Sequence, residues 1–271
     1  MANSTASGWQ MNFEPLPITV CMMCLNEARH MPRALAQSAA FAEWIVLDTG
    51  STDETVSLAK QGGVRVEKLA WMGFSETRRR LFLMASQPWI LWIDADEEIT
   101  SEFVSELQTL FSRAPQHSAY KINRTMFFEG RWIRHGEWYP DFVLRLFRSD
   151  SWTITPSSVH ESIIINGSCG NLKTSLPHYS YHTWSDRNRR IRDYALLWAK
   201  QEAKKDKKSS ETEAILRAIW RFFRAYVIKA GALDGRLGFK IACSCAMEVY
   251  LKYMALAILL RHQISRSGVN G

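Results

Sequence analysis

Five apolar residues, Trp89-Ile90-Leu91-Trp92-Ile93, run directly into Asp94-Ala95-Asp96-Glu97-Glu98. The apolar run reads as a buried central strand, and in an open α/β sheet ligands gather beyond the carboxyl ends of such strands. On an extended chain Asp94 and Asp96 share one side while Ala95 faces the other. Two carboxylates so placed repel each other unless a cation lies between them. Hard oxygen donors suit Mg²⁺ or Mn²⁺, with substrate phosphates completing the shell. The competing reading makes these acids capping groups, because Thr100-Ser101-Glu102 has the composition of a helix start.

The elements that must position these acids follow from hydrophobic patterning. Apolar runs at 18–25, 44–47, 64–69 and 89–93 read as strands, separated by helical patterns at 28–41, 54–61 and 75–85. The alternation predicts an α/β fold with a mainly parallel sheet and flanking helices, and right-handed crossovers bring the strand ends to one edge. That edge collects Asn26, Glu27, Asp48, Asp53, Asp94 and Asp96. Asp48-Thr-Gly-Ser-Thr-Asp53 is a tight turn into a helix, so its acids either cap that helix or accept from a nucleotide. With no glycine-rich phosphate loop of either common type, a diphosphate has to be held by metal and basic side chains. Arg78, Arg79 and Arg80 point about 100° apart on a helix, so one or two of them at most face the site.

Further on, 120–128 and 143–148 alternate like half-buried strands around an aromatic loop at 132–139 that includes Trp138 and Tyr139. Arg145 faces the side opposite Leu144 and Leu146, to bind phosphate or carboxylate or to pair with Asp141. Val159-His160-Glu161 follows a strand at 152–155 and offers a carboxylate as general base and a histidine to orient substrate. In His178-Tyr-Ser-Tyr-His182 the alternation puts both histidines on one face, where either completes a metal shell.

The net charge of +7 is unevenly spread: residues 187–271 carry 18 Lys and Arg against 7 Asp and Glu, and the rest of the chain is acidic. The partner of that last third is therefore anionic, a phospholipid surface or a nucleic acid. Residues 218–229 interleave aromatic and basic side chains in a manner suited to a membrane interface. Residues 241–260 are long enough to span a bilayer but include Glu248 and Lys252, which favours an amphipathic helix at the surface or packed on the domain. Five cysteines follow no disulfide framework, and Cys21-Met-Met-Cys24 lies inside an apolar strand, so they read as buried thiols in a reducing compartment. Residues 1–17 are polar without the basic flank and apolar stretch of a signal peptide, and the protein is expected to be cytoplasmic.

With these stretches assembled, the chain resembles the family 2 glycosyltransferases of GT-A fold. Residues 18–27 look like the first strand with its Asn-Glu ending, 47–55 like the nucleotide-binding turn, and Asp94-Ala-Asp96 like the metal motif. Tyr139-Pro-Asp-Phe-Val-Leu-Arg-Leu-Phe-Arg148, Val159-His-Glu161, His178-Tyr-Ser-Tyr181, Trp220-Arg-Phe-Phe223 and Leu233-Asp-Gly-Arg-Leu-Gly-Phe239 are similar to the subgroup of bacterial lipopolysaccharide inner-core β-1,4-glucosyltransferases acting on heptose. The resemblance implies an extension at 1–17, a Rossmann-like GT-A catalytic domain at 18–186 and a membrane-associating helical region at 187–271. It also implies an inverting transfer from UDP-glucose with Mg²⁺ or Mn²⁺ as cofactor. The donor would contact Asn26, Glu27, Asp48, Asp53, Arg78 and Asp94; the metal would contact Asp94, Asp96 and His178. Glu161 would be the base, and Arg145, His160, Trp138 and Tyr139 would contact acceptor or phosphate. Many relatives place their base in an acidic pair after the metal motif, where this chain has Val-His-Glu. The implied partners are a nucleotide sugar, a lipopolysaccharide core acceptor and the anionic inner face of the bacterial inner membrane, with no nucleic acid. A nucleotidyltransferase and a non-catalytic membrane or nucleic-acid binding module are the competing readings.

Overall fold

The computed structural model describes residues 14–154, 163–181, 183–205 and 207–267, the last six of these by their backbone. In chain order the strands and helices are β1 (Leu16–Cys24), α1 (Met31–Ala34), β2 (Phe41–Asp48), α2 (Thr55–Gln61), β3 (Arg65–Lys68), α3 (Phe74–Leu83), β4 (Trp89–Asp94), α4 (Ser101–Ser112) and β5 (Ala119–Phe128). Then follow β6 (Arg131–Trp132), β7 (Asp141–Arg148), β8 (Trp152–Ile154), β9 (Ile163–Ile165), β10 (Cys169–Asn171), β11 (Leu176–His178), α5 (Trp184–Ala203), α6 (Glu211–Phe223) and α7 (Gly235–Ser267). The chain divides into two compact units. One is built on residues up to Ile122 with Leu144–Thr174, the other on Asn123–Val143 with the residues from Ser175 onward, and β5 and β7 run from one into the other.

The first unit carries the expected α/β architecture. Its strands lie in the order β10-β5-β7-β4-β1-β2-β3, with β1 parallel to both β2 and β4, β2 parallel to β3, and β7 antiparallel to β4. The apolar run Trp89–Ile93 is indeed central, since Ile90, Leu91 and Ile93 are buried between β1 and β7. Phe82 of α3 meets Trp92, Phe147 and Trp152 edge to face, and with Leu81 it covers Cys21, Ile45 and Leu47. The helix expected over 28–41 is only the single turn α1 and a 3₁₀ turn at Ser38–Ala40. Pro32 is tolerated in a first turn and not in a helix interior, and the chain becomes extended already at Phe41, which pairs with Leu16.

The second unit does not begin at residue 187. Its helices share it with 123–143 and 175–186, because Phe128 and Ile133 from the strand region pack with Leu237, Ile241 and Cys245 of α7. The alternation at 178–182 gives a strand only to His178; Tyr179, Ser180 and Tyr181 are irregular, His182 lies outside the described residues, and Thr183 caps α5 by accepting from the Asp186 N–H. The helix over Gly231–Arg261 is long and apolar enough to cross a membrane by length and composition. Its internal charges are paired within the unit: Glu248 accepts from Arg187 at 2.7 Å and from Lys252 at 2.8 Å. On α6, Ile215, Leu216, Ile219, Trp220 and Phe223 are exposed, followed by Val227 and Ile228 of a π-helical turn at Arg224–Ile228.

Cys21 and Cys24 are buried and free, and three residues apart on a strand they face opposite sides. Burial, aided by the Asp48 charge, pushes the Cys24 thiol up to about 12, and burial pushes Cys245 up to about 11. Since the thiolate is the reactive form, alkylation of the native protein at neutral pH is expected to modify the exposed Cys169 and Cys243 and to spare Cys21, Cys24 and Cys245 until denaturant is added. Peptide mass mapping before and after unfolding measures this, and rapid native labelling of Cys21 or Cys24 would contradict the buried strand.

Candidate active site

The acids of β4 stand where the strand pattern puts them. Parallel register sets Met23 beside Asp94 and Cys24 beside Asp48, so the ends of β1, β2 and β4 are level. Along 92–98 burial alternates: Trp92, Asp94, Asp96 and Glu98 are half-buried, while Ile93, Ala95 and Glu97 are buried. The helix that follows has its own cap, because the Thr100 hydroxyl accepts from the Phe103 N–H at 3.2 Å. Asp94 and Asp96 are therefore not its N-cap.

What holds Asp94 is a buried ionic knot. One guanidinium nitrogen of Arg145, Nη2, donates to a carboxylate oxygen of Asp94 and, at 2.5 Å, to Glu97. The side chain of Arg145 is 2% exposed, that of Glu97 is fully buried, and that of Asp94 is 41% exposed. Glu97 also accepts from the Asp94 backbone N–H at 2.9 Å, and the Glu97 N–H donates to the Asp94 carbonyl at 3.0 Å, which closes the turn after β4. The Arg145 guanidinium lies 4.2 Å from the centre of the Trp92 ring, and that of Arg78, also buried, lies 3.8 Å from it. Close carboxylates raise the already high pKa of Arg145 despite burial, so it stays cationic. Arg145 thus neither pairs with Asp141, whose partner is Arg124 at 2.6 Å, nor reaches outward as an acceptor contact. It fixes the rotamer of Asp94 from beneath.

The neighbouring loops are organised in the same way. Asn26, in the left-handed region that Asn tolerates (φ 56°), donates from its N–H to the Ser51 hydroxyl at 2.9 Å and accepts the Thr52 N–H at 2.8 Å. Asp48 is buried and accepts from the N–H groups of Gly50 and Ser51. Asp53 accepts from the Thr55 hydroxyl and N–H and from the Ala28 N–H, and these bonds, the hydroxyl first, lower its pKa. Asp48 and Asp53, expected as donor contacts, shape the turn before α2 through these bonds, and neither is the N-cap of that helix, which is Glu54. The Glu27 carboxylate lies 3.9 Å from His30, and its backbone N–H donates to Thr55. Arg79 and Arg80 both pair with Glu76 at the surface, leaving Arg78 as the inward member of the three.

The remaining expectations fall elsewhere. His178 is buried in β11, in the second unit. Trp138, expected as an acceptor contact, is half-buried and packs against Phe128 at 5.7 Å and Tyr181 at 5.6 Å in the second unit. Tyr139 lines a cavity of the second unit. His160 and Glu161 lie outside the described residues. Among the described residues no three His, Cys, Asp or Glu side chains gather as a metal-holding set. Asp94 and Asp96 supply two hard anionic donors, which fit a divalent ion whose shell is completed by diphosphate and water. The residue missed by sequence reasoning is Glu97. No strand periodicity marks it, since the chain turns after Asp94 and it is that turn which carries Glu97 inward to the Arg145 guanidinium.

A mainly parallel sheet flanked by helices, ending in acids on its central strand, is the architecture of a nucleotide-sugar transferase. The family model for glycosyl transferase family 2 matches residues 19–169, and the chain belongs to that family. Over 252 residues it is 27% identical to an uncharacterized glycosyltransferase of Rickettsia felis, covering 88% of this chain and 89% of the other. Over 256 residues it is 26% identical to the lipopolysaccharide core biosynthesis glycosyltransferase LpsC of Rhizobium meliloti, covering 92% and 94%. Among solved structures, glucosyl-3-phosphoglycerate synthase from Mycobacterium tuberculosis, crystallised with Mn²⁺, UDP and glucosyl-3-phosphoglycerate, overlaps 42% of this chain and 44% of its own at 24% identity and a TM-score of 0.33.

Arg145→Met would take from the buried Glu97 the guanidinium that neutralises it, and breaking such a pair from one side is expected to cost about 3–5 kcal/mol. Adding Glu97→Met should recover most of that loss, leaving Asp94 folded but unheld. Urea unfolding of the two variants measures it; a cost below about 1 kcal/mol for Arg145→Met would mean the knot does not hold the strand end.

Proposed function

We propose that this family 2 glycosyltransferase moves a hexose, glucose from UDP-glucose, onto a heptose of a lipopolysaccharide inner core by one inverting displacement. The observation that supports the catalytic part is a pair of half-buried acids at the end of the central strand, Asp94 as its last residue and Asp96 in the turn that follows, with Asp94 held by Arg145 and neither acid serving as the N-cap of α4. The lipopolysaccharide acceptor is supported by the motifs at 139–148, 159–161 and 233–239 and by similarity to LpsC along nearly the whole of both chains.

Asp94 and Asp96 are the residues that would hold Mg²⁺ or Mn²⁺, which when bound would neutralise charge developing on the departing diphosphate. Arg145 keeps Asp94 in one rotamer and Arg78 adds positive charge beside Trp92. Glu161 receives the acceptor hydroxyl proton while that oxygen attacks the anomeric carbon from the face opposite the leaving UDP. With a base on one face and a leaving-group stabiliser on the other, no covalent enzyme intermediate is required.

The second unit supports attachment to the inner face of the membrane. Arg221, Arg224 and Lys229 converge on Glu137, while Ile215, Leu216, Ile219, Trp220 and Phe223 of α6 remain exposed. The surface is thus more apolar and less cationic than the sequence implies, with insertion of α6 contributing beside electrostatic attraction.

Purified protein given UDP-glucose, Mn²⁺ and heptose-containing core is expected to release UDP, with Asp96→Asn lowering kcat at least a hundredfold without a change in unfolding midpoint. Wild-type turnover persisting in chelator, or an unimpaired variant, would overturn the assignment. Ile219→Glu with Trp220→Glu is expected to abolish flotation with anionic vesicles while sparing turnover on soluble acceptor; flotation retained by that variant would show that α6 is not the attached face.

A further inference from the structure

The second unit contains a cavity of about 380 Å³ bordered by Thr125, Trp132, Arg134, Tyr139, Ser175 and Pro177. Its lining has aromatic, hydroxyl and guanidinium groups and no acid. Trp132 is braced by Phe127, with ring centres 4.8 Å apart, and by Tyr179 at 6.1 Å, yet remains 38% exposed. It is a fixed plate open on one side. The loop behind it is pinned by Asp234, whose carboxylate accepts from the N–H groups of Arg134 and His135 at 3.2 and 3.0 Å and lies 2.9 Å from His135 Nδ1. The floor is equally fixed: Asn123 donates to the Ser175 hydroxyl at 2.9 Å and accepts the Asp141 N–H at 2.9 Å.

The charges around the cavity are sorted. Arg124 is committed to Asp141, whereas the exposed guanidinium of Arg134 has no carboxylate partner among the described residues. The hydroxyls of Thr125, Tyr139 and Ser175 remain able to donate. A rigid aromatic plate receives the C–H face of a pyranose, flanking hydroxyls match its own, and an unpaired guanidinium binds phosphate with two parallel hydrogen bonds.

We propose that this cavity is a subsite for a phosphorylated sugar unit, with Trp132 as the stacking plate and Arg134 as the phosphate ligand. That this sugar belongs to the acceptor rests on the transferase reading above; the cavity's chemistry does not.

The first test needs no turnover. In protein labelled at the indole nitrogens, with the Trp132 signal identified by Trp132→Phe, mannose 6-phosphate is expected to shift that signal saturably. Mannose alone or inorganic phosphate alone should bind at least tenfold more weakly. Arg134→Gln should weaken the sugar phosphate at least tenfold, and Arg134→Lys by less. An unmoved Trp132 signal, inorganic phosphate binding as tightly as the sugar phosphate, or undiminished binding by Arg134→Gln would each overturn the subsite. The second test is kinetic. Trp132→Ala and Arg134→Gln are expected to raise the KM for a phosphorylated core acceptor at least tenfold, with the KM for UDP-glucose and acceptor-free hydrolysis unchanged. Saturable binding in a protein that turns over no nucleotide sugar would leave the subsite standing and sink the transferase reading. Normal turnover with variant acceptor KM values unchanged would do the reverse.

Discussion

A single buried guanidinium ties together the end of the central strand. Arg145 rises from β7 beneath the end of β4 and is held between Glu97, fully buried, and Asp94, half in solvent. Removing a cation and a carboxylate from water costs several kcal/mol each, and the arrangement persists only if the pairing is close and further hydrogen bonds satisfy the acids. Both conditions hold, since the Asp94 N–H completes the Glu97 carboxylate. The knot has a directional consequence. It restrains the Asp94 carboxylate from one side and leaves part of it facing outward.

The same physical theme recurs at the other strand ends and in the second unit. Polar side chains that might be taken for ligand contacts are engaged in making loops rigid: Asp48 and Asp53 with backbone donors, Asn26 with Thr52, Asp234 with His135. Three cations surround Glu137 instead of facing a lipid surface. Among the described residues that face outward are part of Asp94, the apolar stripe of α6 and Trp132 with its neighbouring Arg134.

Much of this was legible in the sequence. Continuous apolar runs gave β1 and β4 to within two residues and the inner half of β2, whose start at Phe41 fell in the expected helix, because a strand buried on both faces has no polar interruption. The apolar run placed Asp94 at the end of the central strand; the alternation expected beyond it gives way to a turn at Ala95 and Asp96. The partners of Arg145 were not legible: it lies 51 residues from Asp94 in the chain, and a cross-strand pair depends on which strands are neighbours, which alternation alone does not specify. The helix expected at 28–41 failed on Pro32, a local rule that was available. The separation at residue 187 failed because a change in composition marks where helices begin and not which strands they cover. Trp138 shows the limit of composition most plainly, since one aromatic loop supplies both a half-buried ring and an exposed one and only packing distinguishes Trp138 from Trp132.

The most direct test is whether Asp94 and Asp96 bind a divalent ion together with nucleotide. Electron paramagnetic resonance of Mn²⁺ titrated with the protein should show the free-ion signal lost on adding UDP, and neither loss nor UDP-dependent binding in an Asp94→Asn/Asp96→Asn variant that unfolds at the wild-type midpoint. Mn²⁺ and UDP bound equally well by that variant would contradict the assignment, and the acids at the end of β4 would then be structural groups only.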